Sequence, residues 1–159
     1  PMSENADNGK SGGTLIVPLD GAVEDGVHRF TARIYYADTD FSGAVYHARY
    51  LELLERGRSD YLRCLGVYHT ELAGRDTPLF WVVRRMEIDF RAAARIDDIV
   101  TVETRLAELH KARIVMAQTI LRDGAPILTA SVTAALINDR GRPQRMPREW
   151  AALFGGTLS

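Results

Sequence analysis

Cysteine is almost missing from this chain: Cys64 is the only one in 159 residues. A lone thiol closes no internal disulfide and builds no cysteine-based metal cluster. His28, His69 and His110 stand at no metal-ligand spacing from one another or from the acids, so no metal is expected. Net charge of one sign is lacking too. A formal charge of −1 gives no basic field for nucleic acid to follow. Long apolar runs are also absent: none approaches the roughly 18 residues of a membrane span, and no membrane insertion is expected. The first residues lack the basic-then-apolar order of a secretory leader, which makes cytoplasmic residence the default expectation. No internal repeat and no glycine-rich phosphate loop is present.

What remains is ordinary globular material, 46% hydrophobic and 26% charged, at a length that predicts one domain with a real core. Residues 1–27 read as a disordered or loosely ordered tail. The first thirteen are polar and glycine-rich, and a short apolar run and an acidic link follow. The domain is expected over 28–159.

Residues 35–65, YYADTDFSGAVYHARYLELLERGRSDYLRCL, organise the rest. Their first half is too irregular for a helix and carries Asp38, Asp40 and Gly43 among aromatics. From His47 to Leu65 the pattern is helical, with Tyr50, Leu51, Leu54, Tyr61, Leu62 and Leu65 near the spacing of one buried stripe. Glu52, Glu55, Arg56, Arg58, Asp60 and Arg63 occupy much of the other side, and Cys64 reads as a small core residue. A carboxylate-bearing loop therefore runs into a helix N-terminus, where unpaired N–H groups and the positive end of the dipole gather. Such a junction suits attack on a polarised carbonyl.

Around this segment the period is two. Strands are predicted from His28 through HRFTARIYY, over Leu79–Arg91, from Val100 to Leu106, over Arg113–Arg122, and from Leu128 to Leu136. In the second of these, Phe80, Val82, Met86, Ile88 and Phe90 are expected on one face. Asp123-Gly124 is a hairpin signal. Short helices fit VYHTELAGRDTP ahead of Pro78 and the stretch Pro147 to Phe154. The order of strand, long helix and four strands joined by short turns predicts an α+β fold with an antiparallel sheet of about five strands and one helix over a face. An exposed sheet edge in such a fold is commonly covered by a second subunit.

The motif Tyr36-x-Asp38-Thr39-Asp40-x-x-Gly43-x-Val45-Tyr46-His47-x-x-Tyr50, followed by FWVVRRMEIDFRAAARIDD, closely resembles the hotdog-fold acyl-CoA thioesterases. The likeness is to the 4-hydroxybenzoyl-CoA thioesterase-like branch, and within it to members associated with the bacterial Tol–Pal system. It runs from about His28 to Ile137. It implies an antiparallel sheet wrapped around a long central helix, hydrolysis of acyl-CoA without a cofactor, and a homodimer or homotetramer. Acyl carrier protein is the alternative carrier, and a non-catalytic acyl-binding or scaffold module the alternative role.

Asp40 matches the family's catalytic carboxylate, acting as nucleophile or general base. Its other reading is a solvated loop acid or helix cap. Asp38 has the better claim to a structural role in the turn. The backbone N–H at His47 matches the position that polarises the thioester carbonyl, while its imidazole either orients substrate or is bonded into the loop. Gly43 is expected to supply a special backbone geometry or a close approach. Tyr36, Tyr46 and Tyr50 are candidates for the acyl pocket, although aromatics at a helix start are equally often core. Gly57 is expected to let the helix sit close on the sheet. Arg91 and Arg95 are the first candidates for the coenzyme A phosphates, with Arg84, Arg85, Lys111 and Arg113 behind them. Another hotdog branch uses a helix carboxylate in place of the loop aspartate; with the loop motif intact here, Glu52 and Glu55 are expected to be surface residues or to pair with Arg56 and Arg58.

Overall fold

The computed structural model describes residues 19–155. The tail expected over residues 1–13, and the apolar run after it as far as residue 18, lie outside the described residues. Among the described residues six strands form one antiparallel sheet: β1 (Ala22–Glu24), β2 (Val27–Arg33), β3 (Phe80–Phe90), β4 (Ile99–Leu109), β5 (Arg113–Arg122) and β6 (Ala125–Ile137). Their order across the sheet is β1-β2-β4-β5-β6-β3. The helices are α1 (His47–Cys64), α2 (His69–Ala73) and α3 (Trp150–Leu153).

The sheet begins earlier than the His28 expected. Asp25 and Gly26 have φ of 51° and 77°, and close β1 onto β2 as a two-residue hairpin. Asp123 and Gly124, at 51° and 77°, do the same between β5 and β6. Both are the left-handed pair that matches strand twist, so the acidic link was itself a turn signal.

The expected chain of consecutive hairpins holds for β4, β5 and β6 but fails at β3. That strand pairs with β6, on the far side of the sheet from β4. Residues 91–98 must cross three strand spacings, about 14 Å, well within the roughly 26 Å that eight residues can span. A register shift between Val83 and Arg85 also corrects the predicted face of β3. On the C-terminal side Met86, Ile88 and Phe90 lie opposite Val132, Ala130 and Leu128, on the core face. On the N-terminal side Trp81 and Val83, rather than Phe80 and Val82, lie opposite the buried Leu136 and Ala134. One extra residue in a strand exchanges its faces, because side chains alternate.

Side chains of strands β2 to β6 join those of α1 in its apolar clusters. Side by side they are about 19 Å wide, against a helix roughly 10 Å across, so the sheet curls around it. Two apolar clusters lie along the helix. Tyr50, Leu53 and Leu54 meet Phe30, Val100, Val102, Ile120, Leu128 and Val132. Tyr61 and Leu62 meet Ile114, Met116, Leu136 and Trp150. Between them sits Gly57, where a Cβ would come within 2.9 Å of both Thr104 Oγ1 and Val102 Cγ1. The glycine is there for close approach.

The helix is rotated slightly from the predicted stripe. Leu53 is buried and Leu51 is 40% exposed. Arg58, expected on the outer side, is only 9% exposed. Its Nη1 donates to Gln118 Oε1 at 3.1 Å, and Gln118 Nε2 donates to Leu54 O and Thr104 Oγ1, both at 2.9 Å. Cys64 is exposed rather than core. At the last turn its neighbour is the chain at Asp20, whose carbonyl lies 3.5 Å from Sγ, and not the sheet.

Candidate active site

The loop before α1 is built around its two aspartates. Asp38 ends a single 3-10 turn, Tyr36–Asp38. Its Oδ2 accepts the Tyr35 N–H at 2.9 Å, and Oδ1 stands 3.7 Å from Arg49 Nε. The carbonyl of Asp38 accepts the Tyr46 N–H at 3.0 Å. Asp38 thereby ties both ends of the loop to the helix.

Asp40 is arranged differently. Its backbone N–H donates to Ala44 O at 2.9 Å, and its carbonyl accepts the Gly43 N–H at 3.1 Å. Gly43 has φ of 79° and nothing within 4 Å of a Cβ, so it serves the turn's geometry and not a close approach. The Asp40 Oδ1 accepts Ser42 N–H at 2.8 Å and Ser42 Oγ–H at 2.5 Å. These bonds, the hydroxyl first, hold the Asp40 carboxyl below the usual carboxylate range, and nearby His47 adds to the effect. The carboxylate is exposed, ionised at neutral pH and aimed by one oxygen. Ser42 was not singled out from the sequence. The signal was present, since aspartate two residues before serine is an Asx-turn pattern.

Arg95 and the rest of the 91–98 crossing hold the loop from below. Val45 N–H donates to Ala94 O at 2.9 Å, and Ala44 bridges Arg95. Ala94 N–H in turn donates to the Tyr50 hydroxyl at 2.9 Å. Tyr50, a candidate for the acyl pocket, is 3% exposed and sits in the core with its hydroxyl occupied. It suspends the crossing, and through the crossing the Asp40 loop.

His47 is the first residue of α1, so its N–H is among those without an intrahelical partner. Its ring is exposed and meets the edge of Phe90, with centroids 5.4 Å apart. Phe90 also lies 5.9 Å from Tyr50. It was expected as a core-face residue only, yet it stands 47% exposed beside His47. Tyr36, Phe41 and Tyr46 are 82%, 103% and 56% exposed, which leaves the carboxylate in an aromatic surround open to solvent.

The cations divide. Arg95 makes no ion pair among the described residues and neighbours the loop through the Ala44 bridge. Arg91 Nε bonds Asp89 Oδ2 at 3.1 Å. Arg84, Arg85, Lys111 and Arg113 lie elsewhere, around an open groove that also takes in Val115, Thr133 and Ala135. Both helix acids are exposed, one of the two expectations for them, and neither forms an ion pair with Arg56 or Arg58 among the described residues. Glu52 bonds Arg49 at 2.7 Å, and Glu55 accepts Ser59 Oγ–H at 2.6 Å.

A helix wrapped in an antiparallel sheet, with a carboxylate loop at its N-terminus, defines the hotdog class. The family described as the thioesterase-like superfamily matches residues 35–154. The acyl-CoA thioesterase YbgC of Haemophilus influenzae is 38% identical over 126 residues, covering 79% of this chain and 92% of that protein. Among solved structures, a probable thioesterase from Bartonella henselae is 52% identical with a TM-score of 0.74, covering 76% of this chain and 99% of that one. The 4-hydroxybenzoyl-CoA thioesterase of Pseudomonas sp. strain CBS-3, at 20% identity and TM-score 0.71 over 80% and 98% of the two chains, shares the fold. The chain belongs to the thioesterase-like superfamily, and it is a thioester hydrolase.

Proposed function

We propose that this chain hydrolyses acyl-CoA thioesters to the free acid and coenzyme A, with Asp40 as the reacting carboxylate. The observation that carries this is the Asp40 turn. One oxygen is fixed by two bonds from Ser42, and the loop delivers the carboxylate to the open N-terminus of α1 at His47. A thioester carbonyl placed at that terminus receives the dipole and the free N–H groups as charge builds on its oxygen. Asp40 then either adds to the carbonyl carbon, expelling thiolate and leaving an anhydride that water opens, or takes a proton from the attacking water and returns it to the thiolate. Arg95 is placed to meet the phosphates.

The site is completed by a second subunit. Strand β3 is an eleven-residue edge exposing Phe80, Val83 and Phe90, whereas the opposite edge, β1, has three residues. A long apolar edge is the kind that pairs. Light scattering at micromolar concentration should give a dimer or tetramer, and an active monomer refutes this arrangement. The groove of Arg84, Arg85, Lys111 and Arg113 favours a second carrier, acyl carrier protein, through its charge. Acyl-CoA and acyl carrier protein thioesters assayed side by side separate the two.

Asp40→Asn tests the central claim. It keeps shape but removes nucleophilicity and basicity, so kcat should fall at least about 100-fold while substrate binding and melting temperature stay near wild type. Near-full kcat in this variant overturns the assignment and turns attention to Glu52 and Glu55 on the helix.

A further inference from the structure

A cavity of about 340 Å³ lies between α1 and the end of β2. Strand order sets β2 far from β3, so the cavity takes nothing from the β3 edge. Arg33, Tyr35 and Asp38 line it from the chain that runs into the Asp40 loop, and Arg49, Glu52 and Arg56 line it from α1. Both acids are taken up by one cation: Arg49 Nη1 bonds Glu52 Oε2 at 2.7 Å, and its Nε stands 3.7 Å from Asp38 Oδ1. Arg33 and Arg56 are left over. Arg33 Nη1 donates to a carbonyl, Asp97 O, at 3.1 Å. The guanidinium of Arg56 lies over Phe30, 5.4 Å from the ring centroid. Asp60, one turn further along α1, feels the charge of Arg56, but neither arginine forms an ion pair among the described residues. Two exposed guanidiniums at one polar cavity suit an anion with several oxygens, because each offers a fork of N–H donors.

The cavity is joined to the reacting loop within one subunit. Asp38 is two residues from Asp40, no more than about 7 Å of chain. Arg33 holds Asp97, two residues from Arg95, and Arg95 neighbours Ala44 of the same loop. Arg56 stands nine residues beyond His47, about 14 Å along the helix.

We infer that this cavity holds the 3′-phosphate of coenzyme A between Arg33 and Arg56, so that the enzyme distinguishes coenzyme A from carriers that lack this group. The inference rests on the thioesterase reading above and names the carrier it serves. With the thioester carbonyl at the N-terminus of α1, the extended pantetheine arm and pyrophosphate lead back past Arg95 and span the distance to Arg56. Arg95 then faces the pyrophosphate. The 3′-phosphate, with nearly two charges, meets the two remaining guanidiniums. Tyr35, 64% exposed, gives the adenine a ring to lie on. An acyl carrier protein presents phosphopantetheine without the ribose 3′-phosphate, so the cavity takes no part in its recognition.

The test compares an acyl-CoA with the same acyl ester of dephospho-coenzyme A, which lacks only the 3′-phosphate, on the full chain. The acyl group is the one turned over fastest in a panel from acetyl to palmitoyl and benzoyl. In wild type the dephospho ester should show a KM at least about fivefold higher with kcat nearly unchanged, and added salt should shrink the difference. Arg33→Gln and Arg56→Gln each keep a donor and remove the charge, and in each the KM ratio of the two esters should fall to within about twofold of unity. An arginine that served only the fold would alter both esters alike and leave the ratio in place. Arg56→Gln keeps the test open should Arg33→Gln not fold. Equal KM for the two esters in wild type, a ratio retained in either folded variant, or a ratio lost in Arg113→Gln instead, overturns the inference and leaves hydrolysis standing. With no turnover of any ester, calorimetry of adenosine 3′,5′-bisphosphate against AMP decides. Tighter binding of the bisphosphate, lost in Arg33→Gln or Arg56→Gln, supports the cavity while the thioesterase reading falls, and equal binding overturns both.

Discussion

Replacing Tyr50 by Phe removes one oxygen and, with it, the only acceptor of the Ala94 N–H among the described residues. Both residues are buried, at 3% and 0% exposure, so water does not readily take the hydroxyl's place. A buried donor left without a partner costs about 1–3 kcal/mol, while the lost volume is too small to add much. For a chain of this size each kcal/mol moves the melting temperature by about 2–4 °C, which puts the expected drop between about 2 and 12 °C. Denaturant unfolding should show the same loss as a lower midpoint with unchanged slope. The defect should also be local. Ala94 O holds the Val45 N–H at 2.9 Å, so a loosened crossing lets the Asp40 loop drift. A displacement of 1 Å at a reacting group can cost up to about 100-fold, and kcat should fall by more than stability alone explains. Amide exchange at Ala94 and Val45 reports the loosening directly. Stability within about 0.5 kcal/mol of wild type, with both amides still protected, would refute the view that Tyr50 suspends the site.

Ser42→Ala removes the larger of the bonds holding the Asp40 carboxyl low, so its pKa should rise toward the ordinary carboxylate range. The ionised form is the active one, so activity is present above the pKa and lost as pH falls through it. The acid limb of kcat/KM should therefore move upward in this variant, checked by the pH–rate profile and by carbon NMR of the Asp40 carboxyl; an unmoved limb disproves the link. For Arg95→Ala the expected change is a roughly fivefold rise in KM for acyl-CoA with kcat nearly unchanged, and added salt should act in the same direction on wild type. If KM is untouched by either, the phosphates are held elsewhere, and Lys111 and Arg113 follow.

Much of the site was legible because its parts are close in the chain. Asp38, Asp40, Gly43 and His47 lie within ten residues, and local hydrogen bonds shape the turns that carry them. What stayed hidden depends on residues far apart in sequence. Tyr50 looked equally like pocket or core, and the partner that settles its place, Ala94, is 44 residues away. Arg58 looked like surface by its charge. Its burial follows from Gly57, which draws the helix onto β4 and β5 until Gln118 and Thr104 take the neighbouring polar positions.

The sequence by itself determined most of the elements: a period of 3.6 over α1, a period of two in the strands, the Asp123-Gly124 turn, and an acidic loop running into a helix start. These follow from local backbone preference and side-chain spacing, which each segment carries with it. Only the tertiary structure decided that β3 leaves its sequence neighbour β4 to pair with β6, that a bulge at Arg84 exchanges the faces of its first half, and that Arg33 and Arg56 line one cavity. Strand partners are chosen by how a curled sheet closes around its helix. That choice is a balance of burial across the whole core, which no single segment contains.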